Sequence, residues 1–435
     1  MGDISIITIT RGAIGLISLI IISYLLSNNR KKIQWKIVVI SLLLQSIIAF
    51  SILKISLIQS AFETISKFFV RIINYTASGS TFLFSSLVDQ ENSSYIFAFQ
   101  VLPIIIFFSA LTSLLYHLGV IQKIVSFLAW LLNKFLKITG AESLSLAGNI
   151  FLGQTESPLL IKSYLEKMTK PQLFVVMVGG MSTVAGSVLA AYIGLLGGND
   201  VNEQLKFATH LLTASVMAAP GAVAVSKIIF PDSEKNSDHS IEIEKEKIKG
   251  NFLLSITSGT IEGVKLAVNV GAMLLVFLAF IALLNDIMWL IGDLLNFNVL
   301  ISQSTNFDQF SIEFVLGYLL APLMWLIGVT YQECALMGQM LGIKIVSSEF
   351  VAFIKLADFR NMETSVSILS KKSVTMATFM LCGFANLASI GIQIGGIGVL
   401  APEQRKNLSE LGFKAMIAGT IVSLISACLA GILIT

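Results

Sequence analysis

The chain has 435 residues, 55% of them hydrophobic, while 29 Lys+Arg and 26 Asp+Glu together make only 13%, about half the ~25% of ordinary soluble domains. A mean hydropathy of +0.84 cannot come from helices that are apolar on one face, so most must be apolar all round, which excludes a water-soluble globule. The net charge of +3 is too small and too dispersed for a nucleic-acid surface.

A helix needs about 20 apolar residues to cross a bilayer. Charge-free cores over 12–29 and 37–53 give the first two spans. Met1-Gly2-Asp3 offers no basic start and no cleavage site ends the first run, so it reads as a retained helix and not as a signal peptide. Between the two spans, Asn28-Asn29-Arg30-Lys31-Lys32 is a short basic loop. The positive-inside rule puts it in the cytoplasm and the N-terminus outside. Residues 59–74 place Glu63, Lys67 and Arg71 on one face of an otherwise apolar helix, the pattern of an interfacial segment.

Further spans are expected over 92–122, 171–199, 207–226, 266–285, 373–402 and 415–435. The charge-free stretch 314–332 is not expected to cross, because the basic positions around Lys134, Lys167 and Arg405 then share the cytoplasmic side. Lys371 and Lys372 are left outside as exceptions. The hydrophilic stretch 231–250 mixes acids and bases and reads as a solvated cytoplasmic connector. Cys334, Cys382 and Cys428 are isolated in apolar surroundings and read as packing residues.

Two segments are too short to cross. Ser143 to Leu152 is apolar but about half a span long; it meets Gly153-Gln154-Thr155-Glu156-Ser157-Pro158 and returns to Lys162. A re-entrant hairpin fits this pattern, with Ser157 as cap and Pro158 in the first turn of a restarted helix. Cys334 to Val346, Ser347-Ser348-Glu349-Phe350 and the return to Lys355 repeat the design with inverted topology. A carboxylate at membrane depth usually marks a substrate or ion path. The bland alternative leaves Glu156 and Glu349 among the headgroups, the latter beside Lys344.

Each hairpin is followed by a long apolar stretch interrupted by small and polar residues, Gly179 to Ser187 in the first case and Gly383 to Gly391 in the second. Either alone could serve helix packing. Together, corresponding broken segments in two halves point to a secondary transporter with inverted repeats and a midplane site. The spacing does not name the cargo.

At these residues the chain resembles the concentrative nucleoside transporter family, of the bacterial sodium-coupled type. Gly153-Gln154-Thr155-Glu156-Ser157-Pro158, Met177 to Ser187, Ser348-Glu349-Phe350-Val351-Ala352 and Cys382 to Ile392 match four ordered motifs, with Ser348 where the family usually has Asn. The resemblance implies an all-α polytopic membrane protein with about eight transmembrane helices and two opposed re-entrant hairpins, divided into scaffold and transport domains. It also implies a homotrimer in the cytoplasmic (inner) membrane, with nucleoside and sodium ion as partners and no other cofactor.

Carried over by position, Gln154, Thr155, Glu156 and Val188 would surround the base, and Gly153 would let the backbone approach it. Glu349, Asn386 and Ser389 would hold the ribose, with Phe384 packed nearby. Sodium would lie between Asn149 and Thr183, with backbone carbonyls of Leu152 and Val184. The domain reading is 1–138 mainly scaffold, 139–230 the first transport repeat, 231–250 the linker, 251–310 a scaffold helix with connectors, and 311–435 the second transport repeat. Proton coupling through Glu156 or Glu349, or an ion channel with filter hairpins, are the rival readings. An enzyme is not expected, because His117, His210 and His239 are scattered and no catalytic motif occurs.

Overall fold

A computed structural model describes residues 6–88, 96–198, 200–232, 251–361 and 368–434; these are helical, with no strand among them. The first residues, Met1-Gly2-Asp3, and most of the 231–250 linker lie outside the described residues. Helices α1 (Ile6–Leu25) and α2 (Trp35–Lys54) flank a short turn over Arg30–Lys32, whose three adjacent cations keep it at the water interface. A Cβ at Gly15 would lie 2.8 Å from the Leu326 carbonyl, so the small residue is what lets α1 approach its neighbour.

Helix α3 (Ser56–Phe84) contains the expected amphipathic segment but runs on through small residues to 29 residues. It is tied to the core by Ser66, whose hydroxyl lies 3.0 Å from that of Thr209. The expected single span over 92–122 is divided. After α4 (Phe97–Gln100) and α5 (Leu102–His117), Gly119 takes a left-handed φ of 74° and α6 (Val120–Leu136) sets off in a new direction. Helix α6 buries Ile121, Val125, Ala129, Leu132 and Leu136, one face at helical spacing.

Hairpin 1 begins with α7 (Gly140–Asn149), whose ten residues are all buried and span ~15 Å, half of the hydrocarbon. Thr139 and Glu142 form a capping box at its start. The other Glu142 oxygen pairs with Lys227 at 2.7 Å, and Lys227 also pairs with Asp232 at 2.8 Å. The return limb is the short turn Ser157–Ile161 and α8 (Lys162–Leu165).

The next span is broken as the glycines suggest. Helices α9 (Lys170–Ser182) and α10 (Gly186–Gly197) are separated by an extended stretch at Thr183 to Ala185. Helix α11 (Val201–Ile229) follows. Helix α12 (Phe252–Leu294) is 43 residues long, about 65 Å, so the expected 266–285 is only its middle.

After α13 (Phe297–Ser304), α14 (Ile312–Leu326) has 15 residues and does not cross alone. It packs closely on α15 (Cys334–Val346): a Cβ at Gly317 would lie 2.7 Å from the Ala335 carbonyl. Helix α16 (Glu349–Asn361) completes hairpin 2. Helices α17 (Lys371–Leu381) and α18 (Leu387–Leu400) form the second broken span, and α19 (Arg405–Leu433) closes the chain.

Seven helices or joined helix pairs among the described residues are long and apolar enough to cross a bilayer, and α17 with α18 supplies an eighth, interrupted one. The two breaks touch. Gly383 has φ +139°, a Cβ there would meet the Met181 and Ser182 carbonyls at 3.0 Å, and the Phe384 N–H donates to the Thr183 carbonyl at 3.2 Å. Around this crossing the core is dense: the span of α11 is 94% buried, that of α12 only 11%. Helix α12 is therefore a peripheral wall, and the hairpins and broken helices are the centre.

Candidate functional site

Both hairpin tips turn a carboxylate inward. Glu349 starts α16, with the Ser348 carbonyl accepting from Ala352 N at 3.3 Å, so the acid stands at the positive end of a helix. It is 4% exposed and accepts from Tyr192 Oη at 2.9 Å and Asn386 Nδ2 at 2.8 Å. Asn386 is itself fixed as the N-cap of α18, its Oδ1 accepting from Ser389 N at 2.8 Å, and with one N–H on Glu349 its Nδ2 keeps a second donor. Glu156 sits where the hairpin 1 tip restarts as a helical turn, and its carboxylate accepts from Gly153 N at 3.4 Å.

A chain of amides joins the two halves. Gln154 Nε2 donates to Ser389 Oγ at 3.1 Å, and Gln393 Nε2 donates to Gln154 Oε1 at 3.1 Å. The result is one cavity of about 560 Å³, lined by Gly153, Gln154, Thr155, Glu156 and Val188 from the first repeat. Glu349, Phe384, Asn386 and Ser389 line it from the second. All nine residues expected at a substrate site thus share a single space, of the size that holds a small organic ligand. Glu156 and Glu349 thus face one shared cavity from opposite tips.

The reading of the residues missed three contributors. Tyr192 lies one turn beyond Val188 and Gln393 one turn beyond Ser389, spacings that share a helix face. The third is the wall opposite the tips, where α12 contributes Glu262, Leu266, Asn269 and Val270. Its only signal was a pair of polar residues seven apart in an apolar helix. Glu156, Glu262 and Glu349 line the cavity and, among the described residues, no lysine, arginine or histidine does, so it disfavours anionic solutes.

The residues expected at the ion lie beside this cavity, between the tip and the first break. Asn149 is 1% exposed, and neither its Oδ1 nor its Nδ2 has a hydrogen-bond partner. A buried amide in that condition is costly unless a ligand completes it. Its side chain lies against Gly179, where a Cβ would be 3.3 Å from Nδ2. Thr183 donates to the Gly179 carbonyl at 2.9 Å, which leaves its oxygen lone pairs for another partner. Leu152 and Val184 are buried on the facing tip and break, which are held together by Gly186 N donating to the Phe151 carbonyl at 3.0 Å. The donor set is neutral oxygen at a helix break, which fits an alkali cation. Cys334, Cys382 and Cys428 are buried and free.

Paired hairpins and broken helices around one largely apolar cavity with a few polar groups at the tips define a secondary transporter. Family models agree: residues 210–431 match the Na+ dependent nucleoside transporter C-terminus, 14–87 its N-terminus, and 98–199 the nucleoside recognition model. An uncharacterised transporter of Haemophilus influenzae is 40% identical over 97% of each chain. The sodium/nucleoside cotransporter 2 of Rattus norvegicus is 35% identical over 96% of this chain, which spans 62% of that longer protein. Among solved structures, CNTnw in an inward-facing substrate-bound state is 35% identical with a TM-score of 0.88, covering 98% of this chain and 99% of that one. A doubly substituted variant of CNTnw in an outward-facing state gives 34% and 0.88, covering 99% of this chain and 98% of that one. The chain belongs to the Na+-dependent nucleoside transporter family. It is a multi-pass membrane transporter and not an enzyme, and sodium is the coupling ion of its family.

Proposed function

We propose that the chain is a symporter that brings nucleosides, uridine among them, across the cytoplasmic membrane on a sodium gradient. The observation that carries this reading is the shared cavity, in which both hairpin carboxylates meet beside an Asn149 amide with no protein partner. A nucleoside is neutral and rich in donors and acceptors. Glu349, Asn386 and Ser389 take the ribose hydroxyls, with Phe384 packed nearby. Gln154, Thr155 and Glu156 take the base edge, Val188 packs on it, and Gly153 leaves room for its approach. Asn149 and Thr183, with the Leu152 and Val184 carbonyls, hold sodium. The test is uptake of radiolabelled uridine into proteoliposomes, which should follow an imposed sodium gradient. Equal uptake on a proton gradient alone would reject sodium coupling, and single-channel conductance would reject transport by alternating access.

Residues 139–230 and 311–435 act as the moving part in an elevator-like cycle, against a scaffold of 1–138 and 251–310. The apolar Leu266, Val270, Met273 and Leu274 of α12 support this, since they face the hairpin tips with a surface that can slide. Cysteines introduced as Leu159→Cys with either Leu266→Cys or Phe277→Cys should crosslink in different states, each link stopping uptake. Full turnover with either link in place would reject the motion. The outward-turned Leu275, Phe280 and Leu283 of α12 suit contact between copies in a homotrimer. The Arg30–Lys32 turn suits an N-terminus outside the cell and the inner membrane as location.

A further inference from the structure

Lys344 is a fully buried cation that the nucleoside and sodium sites leave unexplained. It lies in α15, five residues before Glu349, and is 0% exposed. Its ammonium donates to the Met380 carbonyl at 2.8 Å and to Ser423 Oγ at 3.4 Å. Met380 lies at the second helix break, and Ser423 comes from α19, packed beside it. Met380 O is one of the last carbonyls of α17, which have no intrahelical partner and form the negative end of the helix dipole. The Ser423 hydroxyl is turned toward the Cys382 carbonyl at 3.1 Å and Gly419 at 3.2 Å, so its oxygen lone pairs face the lysine.

A carbonyl at a helix break and a hydroxyl from a neighbouring helix are the ligands an alkali cation takes. The first repeat offers the same kind of place, at the end of α9, where Asn149 and Thr183 lie beside the hairpin 1 tip. Hairpin 1 carries no lysine or arginine between Gly140 and Ile161. We propose that Lys344 is a tethered cation that holds hairpin 2 on its helix break, doing permanently for the second repeat what a mobile sodium ion does for the first. This inference rests on the sodium reading above. Being covalently attached, the ammonium cannot diffuse away, so hairpin 2 keeps Glu349 oriented whether or not sodium is bound, and the sodium response is confined to hairpin 1. Lys344 is a positioning residue: it acts through Glu349.

The experiment uses the purified full chain in nanodiscs. Uridine affinity is measured by calorimetry at saturating sodium, and the sodium midpoint by thermal shift without nucleoside. Lys344→Met keeps the apolar stem and removes the charge. The uridine Kd should rise at least tenfold while the sodium midpoint stays within twofold. A uridine Kd within threefold of the parent overturns the proposal, as does a sodium midpoint that moves as far as the uridine Kd, which a merely structural role would give. Lys344→Ala opens the space of the stem, and tens of millimolar ethylammonium should restore uridine affinity at least threefold, whereas tetramethylammonium, without N–H groups, should not. No rescue in a folded Lys344→Ala protein also overturns it. Should Lys344→Ala not fold, the two Lys344→Met titrations decide. A parent protein that binds no nucleoside would instead reject the function proposed above.

Discussion

Glu349→Gln is expected to weaken uridine binding by about 100-fold or more at saturating sodium, read by calorimetry, with the protein still eluting as the parent does. The substitution keeps the shape and removes the charge. As a carboxylate, Glu349 accepts from Tyr192 and Asn386 and still has lone pairs for two ribose hydroxyls. Hydrogen bonds to a charged group contribute roughly 1.5–3 kcal/mol each, and about 1.4 kcal/mol is a factor of ten, so losing two accounts for the expected effect. The glutamine amide can donate to the Tyr192 hydroxyl, but turned toward Asn386 it sets a donor against that Nδ2 and disturbs the N-cap of α18. Glu156→Gln should weaken binding in the same direction from the other tip. Unchanged affinity in either variant would remove that residue from the site.

Asn149→Ala should abolish the thermal stabilisation by sodium, and uridine uptake should cease to follow a sodium gradient. The amide has no protein partner, so its removal costs the fold little and the ion a ligand. If sodium and nucleoside bind cooperatively, linkage requires each to raise the affinity of the other by the same factor. The variant should therefore also bind uridine about tenfold more weakly at moderate sodium, the size of a typical coupling of 1–3 kcal/mol. A sodium midpoint equal to that of the parent would take Asn149 out of the ion site.

The parts of this molecule that break a rule were the parts the sequence revealed. Ser143 to Leu152 is too short to cross and ends beside a carboxylate, a pattern that a re-entrant hairpin fits, and the structure makes it a ten-residue helix followed by a turn. The Gly383 region was legible for the same reason, since small and polar residues in an apolar run mark an interrupted helix. Features that obey the rules stayed hidden. Gly119 lies inside a charge-free stretch, so the turn into α6 left no mark in hydropathy. Lys344 looked like an interfacial neighbour of Glu349, because sequence distance cannot tell a buried ammonium from one at the headgroups. Glu262 and Asn269 belong to the cavity only because α12 is laid across the tips, a tertiary fact that a local pattern does not contain.

The acids at the starts of the hairpins carry a consequence for biogenesis. Glu333, at the beginning of hairpin 2, accepts from Ser373 Oγ at 2.7 Å, a partner only 40 residues further along. Glu142 finds its lysine 85 residues on, at Lys227. Burying an unpaired ion costs several kcal/mol. A chain leaving the ribosome can therefore complete the partners of Glu333 within 40 residues, whereas Glu142 has only its own cap at Thr139 until the last turn of α11 brings Lys227.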